Sequence, residues 1–135
     1  MTQRLDARLD TYHSPVLGLF RIVIGFLFAI HGTTKLFGWP ITQGGGAVPA
    51  GTWPYWYAGI IELIVGVLVL LGLFARIAAI VGSGQMAYAY FTEHQPKGLL
   101  PIENGGELAV LYCFSFLLIA FAGAGSFALQ GRRGR

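Results

Sequence analysis

The sequence predicts an all-α integral membrane protein, a four-helix bundle with both the N and C termini in the cytoplasm. Of its 135 residues, 55% are hydrophobic and only 11% are charged, whereas a soluble domain has about 25% charged residues. No charged residue occurs from residue 38 to 61 or from residue 108 to 130. Apolar stretches of about 20 residues match the roughly 30 Å hydrocarbon core of a bilayer. We therefore expect a single membrane domain over residues 1–135.

Local signals place each element in turn. Residues 1–14 are expected to form a cytoplasmic interfacial segment, because Leu5, Leu9 and Tyr12 recur at roughly helical spacing. Pro15 suits the first turn of the helix that follows, and the aromatic cluster at 53–57 is of a kind enriched at membrane surfaces. The transmembrane helices are expected at residues 16–38, 54–74, 75–91 and 104–124.

The distribution of arginine predicts the orientation. Most arginines lie in the N-terminal segment, in the tight turn between the second and third spans, and in the basic tail at 126–135. By the positive-inside rule these parts face the cytoplasm, so the chain is expected to be a multi-pass protein of the bacterial plasma (inner) membrane. The outer connection at 39–52 is rich in glycine and proline, which indicates either a flap on the membrane surface or a disordered link.

Small and polar residues share one face on each of the first three spans, which predicts that these faces pack together. The faces contain Gly18, Arg21, Gly25, Ala29, Gly32 and Lys35, then Tyr55, Gly59, Glu62 and Gly66, then Ala75, Ala78, Ala79, Gly82, Gln85 and Ala89. A charge exposed to lipid costs at least about 2.5–3.5 kcal/mol near the bilayer centre. Glu62 has a short side chain and needs a partner, and Lys35 is the simplest one.

These polar groups predict a pocket in the outer half of the bundle. Its candidate ligand-binding residues are Lys35, His31, Gln85, Tyr88 and Glu107, and its candidate proton relay is Glu62 with His31. A quinone, either menaquinone or ubiquinone, suits such a pocket because its carbonyls need donors and its reduction needs protons. The alternative is structural: Lys35 and Glu62 form a buried ion pair that sets the helix register, and His31 bonds a backbone carbonyl.

Other chemistries are disfavoured. The single Cys113 cannot form a disulfide or a CxxC pair within the chain. No histidine and carboxylate spacing typical of a metal site occurs, and the glycine-rich stretches lack the strand and helix context of a phosphate loop. We therefore expect no metal, flavin, haem or nucleic acid as a ligand. Whether the chain is an enzyme stays open, because it contains no complete catalytic motif.

The chain resembles the DoxX family of small four-helix bacterial membrane proteins. The resemblance runs through FRIVIGFLFAIHGTTKLFG, AGIIELIVGVLVLLGLFARIAAI, NGGELAVL and GAGSFAL, in order and with the expected spacing. The family's charged positions correspond to Arg21, Lys35, Glu62, Arg76 and Glu107. The family tail usually reads GPGxxSLD, and here the proline and the Ser-Leu-Asp are replaced, which removes an acidic partner for the arginines.

A short internal repeat accompanies this resemblance. GLFRI at 18–22 is similar to GLFARI at 72–77, and GIIEL at 59–63 is similar to GGEL at 105–108. This pattern would relate the two helical hairpins as a weak repeat.

The resemblance implies two functions. Relatives include a subunit of a thiosulfate:quinone oxidoreductase, so the chain is expected to be a quinone-linked subunit of a membrane complex in oxidative or thiol stress. Others are linked to complexes that join superoxide dismutase and a sulfurtransferase, so a non-catalytic scaffold for soluble partners is the alternative. A homo-oligomer is left open, and a small-solute carrier would require one.

Overall fold

The computed structural model describes residues 1–42 and 46–130, and in these ranges the chain is helical with connecting turns and contains no strand. The predicted all-α class is confirmed for the described residues. The helices are α1 (Thr2–Thr11), α2 (His13–Phe37), α3 (Tyr55–Leu71), α4 (Ala75–Ala89), α5 (Pro101–Asn104) and α6 (Glu107–Ala122). A π-helical turn at Tyr90–His94 and a 3₁₀ turn at Gln95–Lys97 continue α4.

Glycines in the left-handed conformation set several helix ends. Gly72, with φ of 74°, follows the last residue of α3, Leu71, so this helix ends three residues before the predicted boundary at 74. Gly105, with φ of 75°, separates the short α5 from α6, so the helix within the predicted fourth span begins at Glu107, three residues after the expected start at 104. Helix α2 begins at His13, three residues before the predicted start at 16, and includes Pro15 in its first turn. Proline is tolerated there because its missing N–H would have no helical partner anyway.

Helix α2 is, among the described residues, the one helix long and apolar enough to cross a membrane, with 25 residues. Helices α3 and α6 are apolar but shorter, with 17 and 16 residues. Helix α1 has no buried residue, and its Leu5 and Leu9 side chains are exposed.

The longer helices pack side by side, with α2 against α3, α4 against α6, and α3 joining the two pairs through α4. We call the end that holds the α3–α4 turn the terminal end, because the segment after α6 bonds there to Ser14 and Leu71. The opposite end, which holds residues 38–54 and 90–106, is the loop end. Phe28, Val69, Phe116 and Ile119 are almost fully buried in the core between the helices.

Helices α2 and α3 approach each other closely because glycines line their contact. A Cβ atom added at Gly66 would lie 2.4 Å from the backbone nitrogen of Ala29. One added at Gly25 or Gly32 would lie 2.5 Å from a backbone nitrogen of α3. Any side chain at these positions would therefore push the two backbones apart, which explains why the small face of α2 packs here.

At the terminal end, two arginines bind backbone carbonyls in equivalent ways. Arg21 of α2 is fully buried and donates to Val69 and Leu70 at the end of α3, at 2.8 and 2.7 Å. Arg76 of α4 donates to Ala120 and Phe121 at the end of α6, both at 3.1 Å. Each hairpin thus has one arginine at the carbonyl end of its second long helix, where the helix dipole favours a cation.

Arg21 also holds the segment after α6, through bonds to the carbonyls of Ala124 at 2.7 Å and Ser126 at 2.9 Å. Residues 43–45 of the predicted outer flap and residues 131–135 of the predicted basic tail lie outside the described residues.

Candidate functional site

A cavity of about 460 Å³ opens at the loop end, between α2, α3, α4 with its π turn, and α6. Its size is in the range of small-molecule sites, about 300–1,000 Å³. Aromatic and aliphatic side chains form most of its wall, and a few polar groups lie among them. Those polar groups include His31, Lys35, Glu62, Gln85 and Tyr112.

Lys35, Glu62 and Gln85 form a hydrogen-bonded chain across three helices. Lys35 Nζ on α2 donates to Glu62 Oε2 on α3 at 2.5 Å, and Gln85 Nε2 on α4 donates to the same oxygen at 3.0 Å. The Glu62 side chain is 2% exposed, whereas the Lys35 side chain is 31% exposed. The carboxylate is thus buried between two donors, and the ammonium extends from it toward the cavity opening.

Gln85 leaves one strong acceptor without a partner. Its Nε2 donates to the Ala58 carbonyl at 3.3 Å as well as to Glu62. Because both of these partners are acceptors, the amide orientation follows from the network. The carbonyl oxygen, Oε1, is buried and has no hydrogen-bond partner among the described residues. A buried acceptor without a donor costs about 1–3 kcal/mol, so this oxygen favours a ligand that can donate to it.

A cluster of aromatic side chains closes the inner side of the cavity. The His31 ring meets the Tyr112 ring edge-on, with centroids 5.8 Å apart, and Tyr112 packs against Phe28 at 5.2 Å. Tyr112 and Phe28 are 5% and 1% exposed. These contacts hold the imidazole within the cavity wall, which also contains Lys35, Glu62 and Gln85.

The rim of the cavity is built by the segment that follows α4. Tyr55 at the start of α3 donates its hydroxyl to Glu93 Oε2 at 2.8 Å, which connects the two sides of the opening. Asn104 holds the segment in place: its Nδ2 donates to the Tyr90 hydroxyl and the Gly98 carbonyl, and its Oδ1 accepts from the Gly106 amide at 2.8 Å.

Most of the predicted site residues line this one cavity. His31, Lys35, Glu62 and Gln85 meet there, and Tyr88 forms part of the wall although it is 55% exposed. Glu107 is not among the lining residues; it is exposed at the first position of α6.

The face of α6 that Glu107 shares is directed away from the core. Leu111, Phe114 and Leu118 on this face are 63%, 63% and 53% exposed. At a helix N-terminus a carboxylate can reach polar surroundings and is favoured by the helix dipole. Glu107 therefore lies outside the polar chain formed by Lys35, Glu62 and Gln85.

Tyr112, Tyr55 and Glu93 were not among the sequence candidates. For Tyr112 a signal exists: Ala109, Tyr112, Phe116 and Ile119 recur at spacings of three and four residues and are all buried. That spacing marks the packed face of a helix. The bond between Tyr55 and Glu93 joins residues 38 positions apart, and neither residue carries a local signal for it.

The described helices and the buried polar chain define a small all-helical protein with the character of a membrane protein. The DoxX family model matches residues 16–95, which include Lys35, Glu62 and Gln85. The chain belongs to the DoxX family. It is similar to an uncharacterized protein of Haemophilus influenzae, with 45% identity over 127 residues that cover 92% of this chain and 95% of the relative. No solved structure matches it.

Proposed function

We propose that the chain is a multi-pass protein of the bacterial plasma membrane, a four-helix bundle with its terminal end in the cytoplasm. Large apolar side chains that face away from the core support this proposal. Phe26 on α2, Ile80 on α4 and Phe114 on α6 are 53%, 61% and 63% exposed. A soluble protein rarely exposes such extended apolar surface, whereas lipid tails would cover it.

We further propose that the loop-end cavity binds the head group of a quinone and that the chain is a quinone-linked subunit of an oxidoreductase complex. The observation that carries this proposal is Gln85 Oε1, a buried acceptor beside the Lys35 and Glu62 pair. A quinone offers carbonyl acceptors when it is oxidised and hydroxyl donors when it is reduced. It can therefore accept a hydrogen bond from Lys35 in one state and donate one to Gln85 Oε1 in the other. A bound quinone would take up two electrons and two protons.

Each polar residue has a role in this scheme. Lys35 and His31 supply donors for a carbonyl oxygen, and Gln85 Oε1 accepts a hydrogen bond from a hydroxyl. Glu62 is the candidate proton relay of this scheme, because its carboxylate lines the cavity and accepts hydrogen bonds from Lys35 and Gln85. Tyr88, which also lines the cavity, can donate through its hydroxyl near the opening.

The opening suits an apolar tail. Tyr57, Ile61 and Leu108 line the cavity and are themselves exposed to its surroundings. An isoprenoid chain could therefore leave along α3 and α6 into lipid. The electron donor in this scheme is a partner protein, since a single cysteine cannot act as a dithiol. A role in oxidative or thiol stress would follow from the identity of that partner.

The test is native mass spectrometry and lipid extraction of the purified protein, with menaquinone and ubiquinone as the compounds sought. Gln85→Leu removes the unpaired oxygen at similar volume and should lower the quinol retained by protein purified under reducing conditions about tenfold, the equivalent of one hydrogen bond of about 1.4 kcal/mol. Ser83→Ala is the matched control, because Ser83 lies on the same helix, bonds to the Cys113 carbonyl and is not part of the cavity wall.

Glu62→Gln should abolish quinone-dependent activity of the complex while the helices stay assembled. Unchanged activity in this variant, or purified protein that neither retains nor takes up quinone, would overturn the proposal. A soluble enzyme that co-purifies without quinone would favour the scaffold, in which the cavity has no redox role.

A further inference from the structure

A second cavity, of about 560 Å³, lies at the terminal end, and it shares no lining residue with the first. It is enclosed by the first turn of α2, the α3–α4 turn with the first turn of α4, and the segment after α6. Its polar lining residues are His13, Ser14, Arg76 and Gln130. The quinone scheme uses none of these residues.

Arg76 brings a positive charge to this cavity without a carboxylate partner among the described residues. The single ion pair among residues 1–42 and 46–130 joins Lys35 to Glu62, so Arg76 has no carboxylate partner there. Its Nη1 is held by the carbonyls of Ala120 and Phe121. A Cβ added at Gly123 would lie 2.8 Å from Nη2, so the glycine leaves room for the guanidinium.

The rest of the lining complements an anion. Among the described residues that line it there is no aspartate or glutamate, and the lining includes the first three residues of α4, Ala75 to Ile77. Amides in the first turn of a helix have no partner within the helix and carry a partial positive charge. His13 and Ser14 add side chains that can donate hydrogen bonds.

The outer wall is apolar. Leu17, Phe74 and Ile77 line the cavity, and Phe74 and Ile77 are 58% and 66% exposed. A ligand that matches both the lining around Arg76 and this apolar wall has an anionic group and a hydrocarbon part. A free phosphate would contact only the lining around Arg76.

We propose that the terminal-end cavity binds the phosphate of an anionic phospholipid, with an acyl chain against Phe74 and Ile77. The cavity thus fixes one lipid of the inner leaflet at the junction of the two hairpins. This proposal rests on the insertion of the chain in a membrane and is independent of what the loop-end cavity binds.

The test uses the full-length protein in nanodiscs of phosphatidylcholine with and without phosphatidylglycerol, followed by native mass spectrometry of the released protein. We expect one retained phosphatidylglycerol. Arg76→Gln should lower its occupancy about tenfold, because the phosphate loses charge-assisted hydrogen bonds. Arg8→Gln is the matched control: it removes the same charge from exposed α1, outside the cavity lining, and should change occupancy less than about twofold because Arg8 does not line the cavity and exposed charges are screened by salt.

A second variant guards against misfolding of Arg76→Gln, since Arg76 also bonds α6. His13→Glu places a negative charge at an exposed position of the cavity lining, where the α2 N-terminus tolerates it. It should release the lipid while helicity stays unchanged, and Thr11→Glu on α1 should not.

Three results would overturn the proposal. They are the absence of any preference for phosphatidylglycerol, equal losses in Arg76→Gln and Arg8→Gln, and displacement of the retained lipid by millimolar inorganic phosphate. The last of these would assign the cavity to a soluble anion. Quinone content, measured in parallel, reports on the other cavity and should not change in either lipid-site variant.

Discussion

Removal of Lys35 should destabilise the protein more than removal of the Glu62 charge, although the two groups form one ion pair. The reason is their unequal burial: the Glu62 side chain is 2% exposed and the Lys35 side chain is 31% exposed. Lys35→Met leaves a buried carboxylate with Gln85 Nε2, at 3.0 Å, as its remaining side-chain donor. Glu62→Gln leaves an ammonium that can turn toward the cavity opening.

The magnitudes follow from this asymmetry. Loss of one partner of a buried ion pair costs about 3–5 kcal/mol, and we expect about 3 kcal/mol for Lys35→Met, because Gln85 still stabilises the carboxylate. Glu62→Gln retains an acceptor for both neighbours and should cost about 1–1.5 kcal/mol, the value of a weakened hydrogen bond. The double variant Lys35→Met/Glu62→Leu removes both charges and should unfold within about 1 kcal/mol of the natural protein.

The assay is SDS-induced unfolding in mixed micelles, followed by far-ultraviolet circular dichroism. Lys97→Met is the control, because this lysine is exposed and surface substitutions change stability by about 0.5 kcal/mol or less. The reasoning would be refuted if Glu62→Gln cost as much as Lys35→Met. It would also be refuted if the double variant lost as much stability as Lys35→Met alone, since residues in direct contact should couple.

Two further predictions concern helix packing, and the same assay measures both. Arg21→Met should cost about 3–5 kcal/mol because four backbone carbonyls lose their donor, whereas Arg4→Met on exposed α1 should stay within about 0.5 kcal/mol. A small loss at Arg21 would show that the segment after α6 is held by other contacts. Gly66→Val should cost about 3 kcal/mol because its side chain meets the backbone of Ala29. Gly84→Val, with no neighbour within 4 Å, should cost far less, and equal losses at the two glycines would contradict the close-packing argument.

The small faces of the helices could be predicted from the sequence because their spacing is periodic. Gly25, Gly32 and Gly66 are buried where the 3.6-residue period places them. The pair between Lys35 and Glu62 was predictable for a related reason, since a short charged side chain on a packed face requires a neighbour at the same depth. Both inferences use information that each helix carries by itself.

At Glu107, helical periodicity and the cost of burying a charge do not decide which way the side chain faces. A charge near the end of a span can face either way, because polar surroundings are within reach of its side chain. The sequence rule that intramembrane charges face inward therefore does not apply at the first residue of α6. Ala109, Tyr112 and Phe116 indicate the packed face of α6 better, because they recur at helical spacing along the helix and do not depend on a single position.

The sequence by itself determined the helical class, the membrane character and the helix faces that carry Arg21, Lys35 and Glu62, because hydrophobic periodicity and the cost of burying charge act along single helices. Only the tertiary structure decided which groups the arginines meet. Arg21 and Arg76 bind backbone carbonyls, which every residue has and which leave no mark in the sequence. Gln85 Oε1 lacks a donor because of how three helices converge around it. The terminal-end cavity likewise lies between helices, so no single helix could predict it.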